Sequence, residues 1–382
     1  MSAHTISSTN FANTKPHYEF LDGLRGVAAV LVVFYHIFEG YFCHKQGRPI
    51  TLLTHGHLAV DFFFMLSGFV ISYAYDDRWK KMTLGNFFKR RLIRLHPMVV
   101  MSAIIGVISY LLSGSQRFDG TAMPFSAVMG AMLLMIFMIP TRPDSSLELR
   151  SGEMFSLNGP MWSLFIEYIG NVLYALILRR LSVRVLAVLA VVFGVVHSWF
   201  FLGHMADYGS VALGWVFDEV HFWGGLIRLL FPFTVGMLLA RTFKPRKVKG
   251  AFWICTIILI TIYSLPRIVS ESSISLNCLY EVLCIIFILP AVLWLGACGT
   301  AKKSFTSRLS NFLGELSYPL YMVHYPIMYL LYGWIINNKE TSFGETFAII
   351  ALAMLTSVVI AYACLKLYDE PVRKWLARKF VK

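Results

Sequence analysis

Residues 21–41 read LDGLRGVAAVLVVFYHIFEGY, an apolar run in which Arg25 and His36 stand eleven positions apart. On a helix turning ~100° per residue, eleven steps make three turns plus ~20° and rise ~16 Å. Both side chains therefore share one face, the arginine near a membrane edge and the histidine about half a bilayer deep. Ionisable groups inside a membrane span are expensive, and they mark functional sites. Imidazole is also the side chain best suited to moving protons near neutral pH.

The rest of the chain agrees with a membrane reading. Only 14% of its 382 residues are charged, 57% are hydrophobic and the mean hydropathy is +0.64, against ~25% charged in soluble domains. The 15% of aromatic residues suits lipid-facing surfaces and interfacial belts. A net charge of +13 suggests nucleic acid at first sight. The basic residues, however, cluster in short loops between apolar runs, where the positive-inside rule puts them, so no nucleic-acid partner is expected. Residues 1–17 are a polar tail, and the run after them lacks a small-residue cleavage site, so it reads as a retained first span. The six cysteines form no CxxC pair and lie mostly in apolar segments, which predicts neither a disulfide framework nor a cysteine metal site.

Apolar stretches fall at about 21–41, 57–75, 96–112, 123–140, 161–178, 183–202, 222–240, 252–266, 279–297, 311–334 and 345–368. Basic loops follow at 78–94, 179–184, 241–249 and 302–303, and a basic tail at 373–382; all are expected in the cytoplasm. Counting inward from both ends places 95 inside and 141 outside, so an odd number of crossings must join them. Two apolar segments occupy that stretch, and 123–140, interrupted by Pro124, is expected to be re-entrant or interfacial. The fold expected is an all-α polytopic membrane protein with about ten transmembrane helices and both termini cytoplasmic. One membrane domain covers 18–375, and a basic tail covers 376–382.

Further polar groups interrupt the apolar runs. In 158–167, NGPMWSLFIE, Pro160 suits a first helical turn, and Ser163, Glu167 and Asn171 recur every four residues on one face. Glu167 needs a partner from another helix, and His36 is the expected one: a carboxylate beside an imidazole fixes its tautomer and stabilises its cation. In 61–69, DFFFMLSGF, Asp61 is a second buried acid, and Ser67-Gly68 suits either a helix contact or a direct role. His57 precedes Asp61 by four, but no recognised ligand set such as HExxH accompanies it, so no metal is expected. In 87–97, FFKRRLIRLHP, Arg90 and Arg94 are four apart; they suit either topology anchoring or a clamp for phosphates. Along 314–324, Ser317, Tyr321 and His324 form a polar stripe. Tyr368-Asp369-Glu370-Pro371 reads as the cap that ends the last span.

Taken in order, Gly23-Leu24-Arg25-Gly26 through His36, Phe62 to Phe69, Arg90 to Pro97, Gly159-Pro160-Met161-Trp162-Ser163-Leu164 with Glu167, Ser317 to His324 and Glu370-Pro371 resemble the acyltransferase-3 family of integral membrane acyltransferases. The resemblance spans about 18–375. It implies an acyl-CoA donor, usually acetyl-CoA, entering from the cytoplasm, a hydroxyl acceptor outside, and ten spans. The family's first-helix arginine and histidine correspond to Arg25 and His36, and its helix-five acid to Glu167. Tyr168 stands where many relatives carry a second acid. No hydrolase-like domain follows, so acceptor selectivity would come from the membrane domain or a separate extracytoplasmic partner protein.

The function expected is therefore O-acylation by a bacterial inner-membrane enzyme acting on a surface carbohydrate or lipid-linked glycan. His36 and Glu167 are the expected catalytic pair. Arg25, Arg90, Arg94, Asp61, Ser67, Trp162, Ser163, Ser317, Tyr321 and His324 are the expected substrate contacts, with Ser163 or Tyr321 as oxyanion donor. Acyl-CoA is a cosubstrate, and no tightly bound cofactor is expected. The rivals are a secondary transporter or flippase for a lipid-linked sugar, against which stands the lack of visible paired repeats, and a catalytically dead sensor.

Overall fold

Side-chain caps open six of the helices. Thr83, Ser182, Asp218, Ser275, Ser304 and Ser342 each accept from a backbone N–H in the first turn, and Ser342 forms a full capping box with Glu345. The computed structural model describes residues 17–47, 49–117, 119–150, 152–205, 208–244, 246–268, 275–299 and 304–381. Most of the polar tail 1–17, Lys302-Lys303 and Lys382 lie outside the described residues. Among those described, regular structure is helical, with only isolated bridges between extended residues.

The helices are α1 (Glu19–Glu39), α2 (Ala59–Tyr75), α3 (Leu84–Leu112), α4 (Phe125–Ile136), α5 (Met161–Leu176), α6 (Val183–Trp199) and α7 (Glu219–Thr242). They continue with α8 (Ala251–Ser264), α9 (Leu276–Leu283), α10 (Leu289–Ala297), α11 (Phe305–Asn337), α12 (Phe343–Ala363) and α13 (Glu370–Phe380). Wider π turns join α9 to α10 and α12 to α13. Among the described residues, eight helical stretches are long and apolar enough to cross a membrane. On α6, Val188, Val191, Val192 and Val195 are exposed, as a lipid-facing helix requires.

Three sequence boundaries move. The basic stretch 84–94 is helix rather than loop, because Thr83 starts α3 there and Pro97 is accommodated inside it. α11 extends the expected 311–334 to 33 residues. Asp369-Glu370-Pro371 do not terminate the last helix: Pro371 sits in the first turn of α13, where its missing N–H costs nothing, so the helix runs on. α4, the expected non-crossing segment, is 12 residues, about 18 Å long. Its two flanks tie to the same loop, Arg117 donating to the Glu148 carbonyl and the Thr141 N–H to the Met154 carbonyl.

Glycines set the closest helix contacts. A Cβ on Gly68 would stand 2.0 Å from the Phe233 carbonyl oxygen, and one on Gly236 2.0 Å from that of Met65. Hence α2 and α7 lie backbone to backbone. α1 lies against α11 along its length, Gly26 at Leu313 and Gly40 at Tyr332. Pro326 inside α11 leaves the Met322 carbonyl without its helical donor. Ser102 Oγ at 2.7 Å and Asn158 Nδ2 at 2.9 Å supply two, so the broken turn becomes the joint that holds α3, the start of α5 and α11 together.

Candidate active site

A cavity of about 580 Å³ opens among α1, α2, α3, α5, α11 and the α12–α13 junction. Asp22, Arg94, Glu370 and Arg373 stand at one end of it, the end of the bundle where the basic segments gather. Tyr321, sixteen residues into α11 and so about 24 Å along it, lines the other end with Ser163, Phe63 and Phe64. The two hydroxyls close that end: Ser163 Oγ and Tyr321 Oη are 2.7 Å apart, and both lie within donating distance of the Pro160 carbonyl.

Arg25 spans the wall of this cavity. Its Nε donates to Ser317 Oγ at 2.8 Å and its Nη2 to the Gly314 carbonyl at 3.0 Å, while Nη1 stands 3.2 Å from Asp22. One guanidinium thus ties α1 to α11 and presents a charged edge to the cavity. Opposite it, Arg91 donates from Nη2 to Glu167 Oε1 at 3.1 Å and from Nε to Asn171 Oδ1 at 2.9 Å; Ser67 Oγ donates to the same Glu167 oxygen at 2.7 Å. The expected face of α5 is therefore present, with Ser163, Glu167 and Asn171 all engaged.

The pairing expected for Glu167 is corrected. Its cation is Arg91, and the carboxylate on His36 is Glu39, three residues on in the same helix, with Nδ1–H donating to Oε2 at 2.8 Å. Glu39 is one turn away in α1 and needs no interhelical reach, whereas Glu167 faces the arginine of α3. Arg25 and His36 do share the α11-facing side of α1: His36 packs its ring against Tyr325 at 4.7 Å and His324 at 5.6 Å, and Tyr332 Oη donates to its carbonyl at 2.7 Å. His324 is fully buried, and its ring centroid is 5.6 Å from that of Tyr321 and 5.6 Å from that of His36. Its Nδ1 lies 2.8 Å from the Tyr321 carbonyl and 3.2 Å from that of Leu320. Only an N–H satisfies two carbonyls, so the lone pair is on Nε2, which has no hydrogen-bond partner among the described residues.

Of the expected contacts, Arg25, Arg94, Ser67, Glu167, Ser163, Ser317 and Tyr321 line the cavity. His324 and His36 stand beyond its closed end. Asp61 and Trp162 are elsewhere: Asp61 forms a buried bidentate pair with Arg228 of α7 at 2.6 and 3.1 Å, and that guanidinium lies 5.3 Å from the Trp162 ring. Arg90 is outside the lining, its place taken by Arg91. Phe87, Arg91 and Leu95 recur every four residues and are all buried, so the helical period itself marks Arg91 as facing the bundle.

Near His36, at the end of the bundle away from Arg94, the Tyr329 hydroxyl donates to Glu153, and Tyr325 separates Tyr329 from His36 with ring centroids 4.8 and 4.7 Å apart. Burial in this loop pushes the Glu153 carboxyl up to about 7. Neither Glu39 nor Glu153 stands out in the sequence. Each needs the fold to give it a partner.

The acyltransferase domain of the acyltransferase-3 family matches residues 18–365. An acyltransferase of Streptomyces mycarofaciens is 25% identical, with 94% of this chain and 92% of that protein covered. A Rhizobium radiobacter protein known as protein 2 of the picA locus is 33% identical over 45% of this chain and 90% of its own length. A Staphylococcus aureus protein provisionally named an O-acetyltransferase is 22% identical over 93% of this chain, which spans 57% of it. No solved structure matches. With helices able to cross a membrane and a family match over most of its length, the chain belongs to the acyltransferase-3 family of membrane acyltransferases.

Proposed function

We propose that this protein is an acyl-CoA-dependent O-acyltransferase of the bacterial cytoplasmic membrane. In this reading it moves an acyl group, acetyl in the first instance, to a hydroxyl of an extracytoplasmic carbohydrate or lipid-linked glycan. The observation that carries this is the arrangement in line of an arginine-edged cavity, its hydroxyl-closed end, and the His36–Glu39 pair beyond it. The names of two of the relatives, an acyltransferase and an O-acetyltransferase, support the same class of reaction.

The basic end faces the cytoplasm, by the positive-inside rule. In this reading the eight long apolar stretches together with α8 and α11 make ten crossings, and α4 stays at the outer face. Acyl-CoA enters with its phosphates at Arg94, where guanidinium matches phosphate, and its thioester reaches toward Ser163 and Tyr321. The acceptor comes from the outer side. His36 Nε2 takes the acceptor's hydroxyl proton as its oxygen attacks the thioester carbonyl. The C–S bond then breaks, and the CoA thiolate leaves and takes up a proton. Glu39 on Nδ1 holds the ring in the useful tautomer and stabilises the imidazolium. The hydroxyls of Tyr321 and Ser163 stand where a donor to the developing oxyanion is needed. Acceptor selectivity rests with the outer loops or with a separate extracytoplasmic partner.

The test is purified protein in detergent with labelled acetyl-CoA, alongside envelope-glycan mass spectra from a deletion strain and its parent. The reading expects acyl mass lost in the deletion and restored by the parent gene but not by His36→Ala. Full restoration by a well-expressed His36→Ala would overturn it.

A further inference from the structure

A second cluster, separate from the cavity, lies at the outer end of the bundle. His55 and His57 precede α2, and Glu281 comes from α9, 226 residues after His55. All three are buried, at 1%, 7% and 0% exposure. One ligand atom from each falls within 4.8 Å of the other two. His55 Nδ1 stands 2.8 Å and His57 Nε2 3.1 Å from the same carboxylate oxygen. The His57 contact is not a hydrogen bond: both ring nitrogens lack one, although the residue is more than nine-tenths buried. An imidazole nitrogen this close to a carboxylate yet not aligned with it points its in-plane donor or lone pair at a third point.

The charges require something there. Arg228 and Asp61 neutralise each other in their bidentate pair. Glu281 is then a buried carboxylate with two imidazoles at one oxygen and no Lys or Arg paired to it, an arrangement that is costly unless a positive charge joins it, as a proton on a ring or as a metal ion. Its other oxygen is already fixed, accepting from Ser210 Oγ at 2.9 Å and the Val211 N–H at 2.7 Å. That is the outer support a ligating carboxylate normally has. Two imidazoles and a carboxylate are a zinc-type ligand set, and bonds of ~2.0–2.2 Å in a tetrahedron put ligand atoms about 3.3 Å apart. The two N···O sides, 2.8 and 3.1 Å, are slightly shorter than that, and all three atoms lie within 4.8 Å of one another.

We propose that His55, His57 and Glu281 bind one divalent cation of the zinc class, with solvent as the fourth ligand, and that the ion staples the α2 entry to α9 and to the Ser210–Val211 loop. The sequence shows only His57 and Asp61 at a helical spacing. Glu281, 226 residues after His55, has no sequence pattern that ties it to the two histidines.

The test uses the full-length protein carrying an affinity tag without histidines. Metal content is measured by mass spectrometry after purification, and thermal unfolding is followed with EDTA and then with ZnCl2 added back. The expected result is about one zinc per chain, a midpoint lowered by EDTA and restored by zinc. Glu281→Gln and His57→Gln should lose the ion, weakening zinc binding by more than the roughly 10–100-fold that removal of an outer partner costs. If either variant fails to fold, the wild-type midpoint under EDTA and zinc still decides. A wild-type protein that is indifferent to both, or zinc retained equally by the folded variants, overturns the site and leaves the cluster as an imidazolium–carboxylate latch holding a proton.

Discussion

Glu39 is the residue whose replacement tests the chemistry most directly. Its carboxylate accepts from His36 Nδ1 at 2.8 Å, and its side chain is 34% exposed. The glutamine of Glu39→Gln still offers an oxygen to Nδ1–H, so ring orientation survives and only the charge is lost. Hydrogen bonds to a charged group contribute about 1.5–3 kcal/mol and neutral ones about 0.5–1.5; partial exposure favours the low end of the difference, about 1 kcal/mol. At 1.36 kcal/mol per decade that is roughly a fivefold fall in kcat. Glu39→Ala removes orientation as well as charge, so the whole ~1.5–3 kcal/mol is lost, roughly ten- to hundredfold. The assay is CoA release and acyl transfer by purified protein, with kcat and the donor KM separated. KM for acyl-CoA should hold in both variants, because Glu39 lies outside the cavity lining. A graded loss, Ala worse than Gln, supports the dyad. Turnover unchanged in Glu39→Ala refutes it and returns His36 to the role of a packed core imidazole.

Other substitutions probe the remaining parts. Arg94→Ala should raise the acyl-CoA requirement roughly ten- to hundredfold, as loss of a charge-assisted phosphate contact does, and Arg90→Ala should do so less; direct CoA binding to both variants measures it. Asp61→Asn strips the buried Arg228 of its counter-charge and should lower stability by about 3–5 kcal/mol, seen as an early thermal transition in detergent. Adding Arg228→Met should recover much of that loss, and no recovery would mean the pair is not the unit it looks. Glu153, with its carboxyl raised from 4.5 to about 7, keeps a proton in the folded chain that the unfolded chain releases. The stability it adds is full below pH ~4.5 and gone above ~7, so Glu153→Gln should flatten the decline between those limits; an unchanged slope in pH-dependent unfolding rejects this assignment.

The sequence was informative wherever periodicity does the work. The shared face of Arg25 and His36, the stripe Ser317–Tyr321–His324 and the face Ser163–Glu167–Asn171 all follow from the helical repeat, and each is present. Pairing across helices was not legible. Arg228 had no mark in the sequence that tied it to Asp61, and the α2–α7 contact that joins them depends on Gly68 and Gly236 meeting backbone rather than side chains. Arg91 rather than Arg90 lines the cavity because the apolar side of α3 runs through Phe87, Arg91 and Leu95, and a buried arginine on an apolar face is the one that needs a carboxylate.

The correction at Glu167 changes how the two halves of the reaction are separated. Had Glu167 oriented His36, donor and acceptor chemistry would share one chamber. Instead Glu167, Ser67 and Arg91 belong to the arginine-edged cavity, while His36, Glu39 and Tyr325, Tyr329 and Tyr332 of α11 belong to the opposite side. Between them stand Tyr321, whose hydroxyl is held by Ser163, and His324, whose Nε2 is bare and buried. A bare acceptor in the wall is costly unless something fills it. On the proposed acyl-CoA reading, the thioester or the acceptor hydroxyl is that partner when it reaches the wall, which would complete the site only with both substrates seated. His324→Phe, which fills the same space without the lone pair, tests this. It should leave the fold and CoA binding intact while slowing transfer; transfer at the parent's rate would show that the wall is only packing.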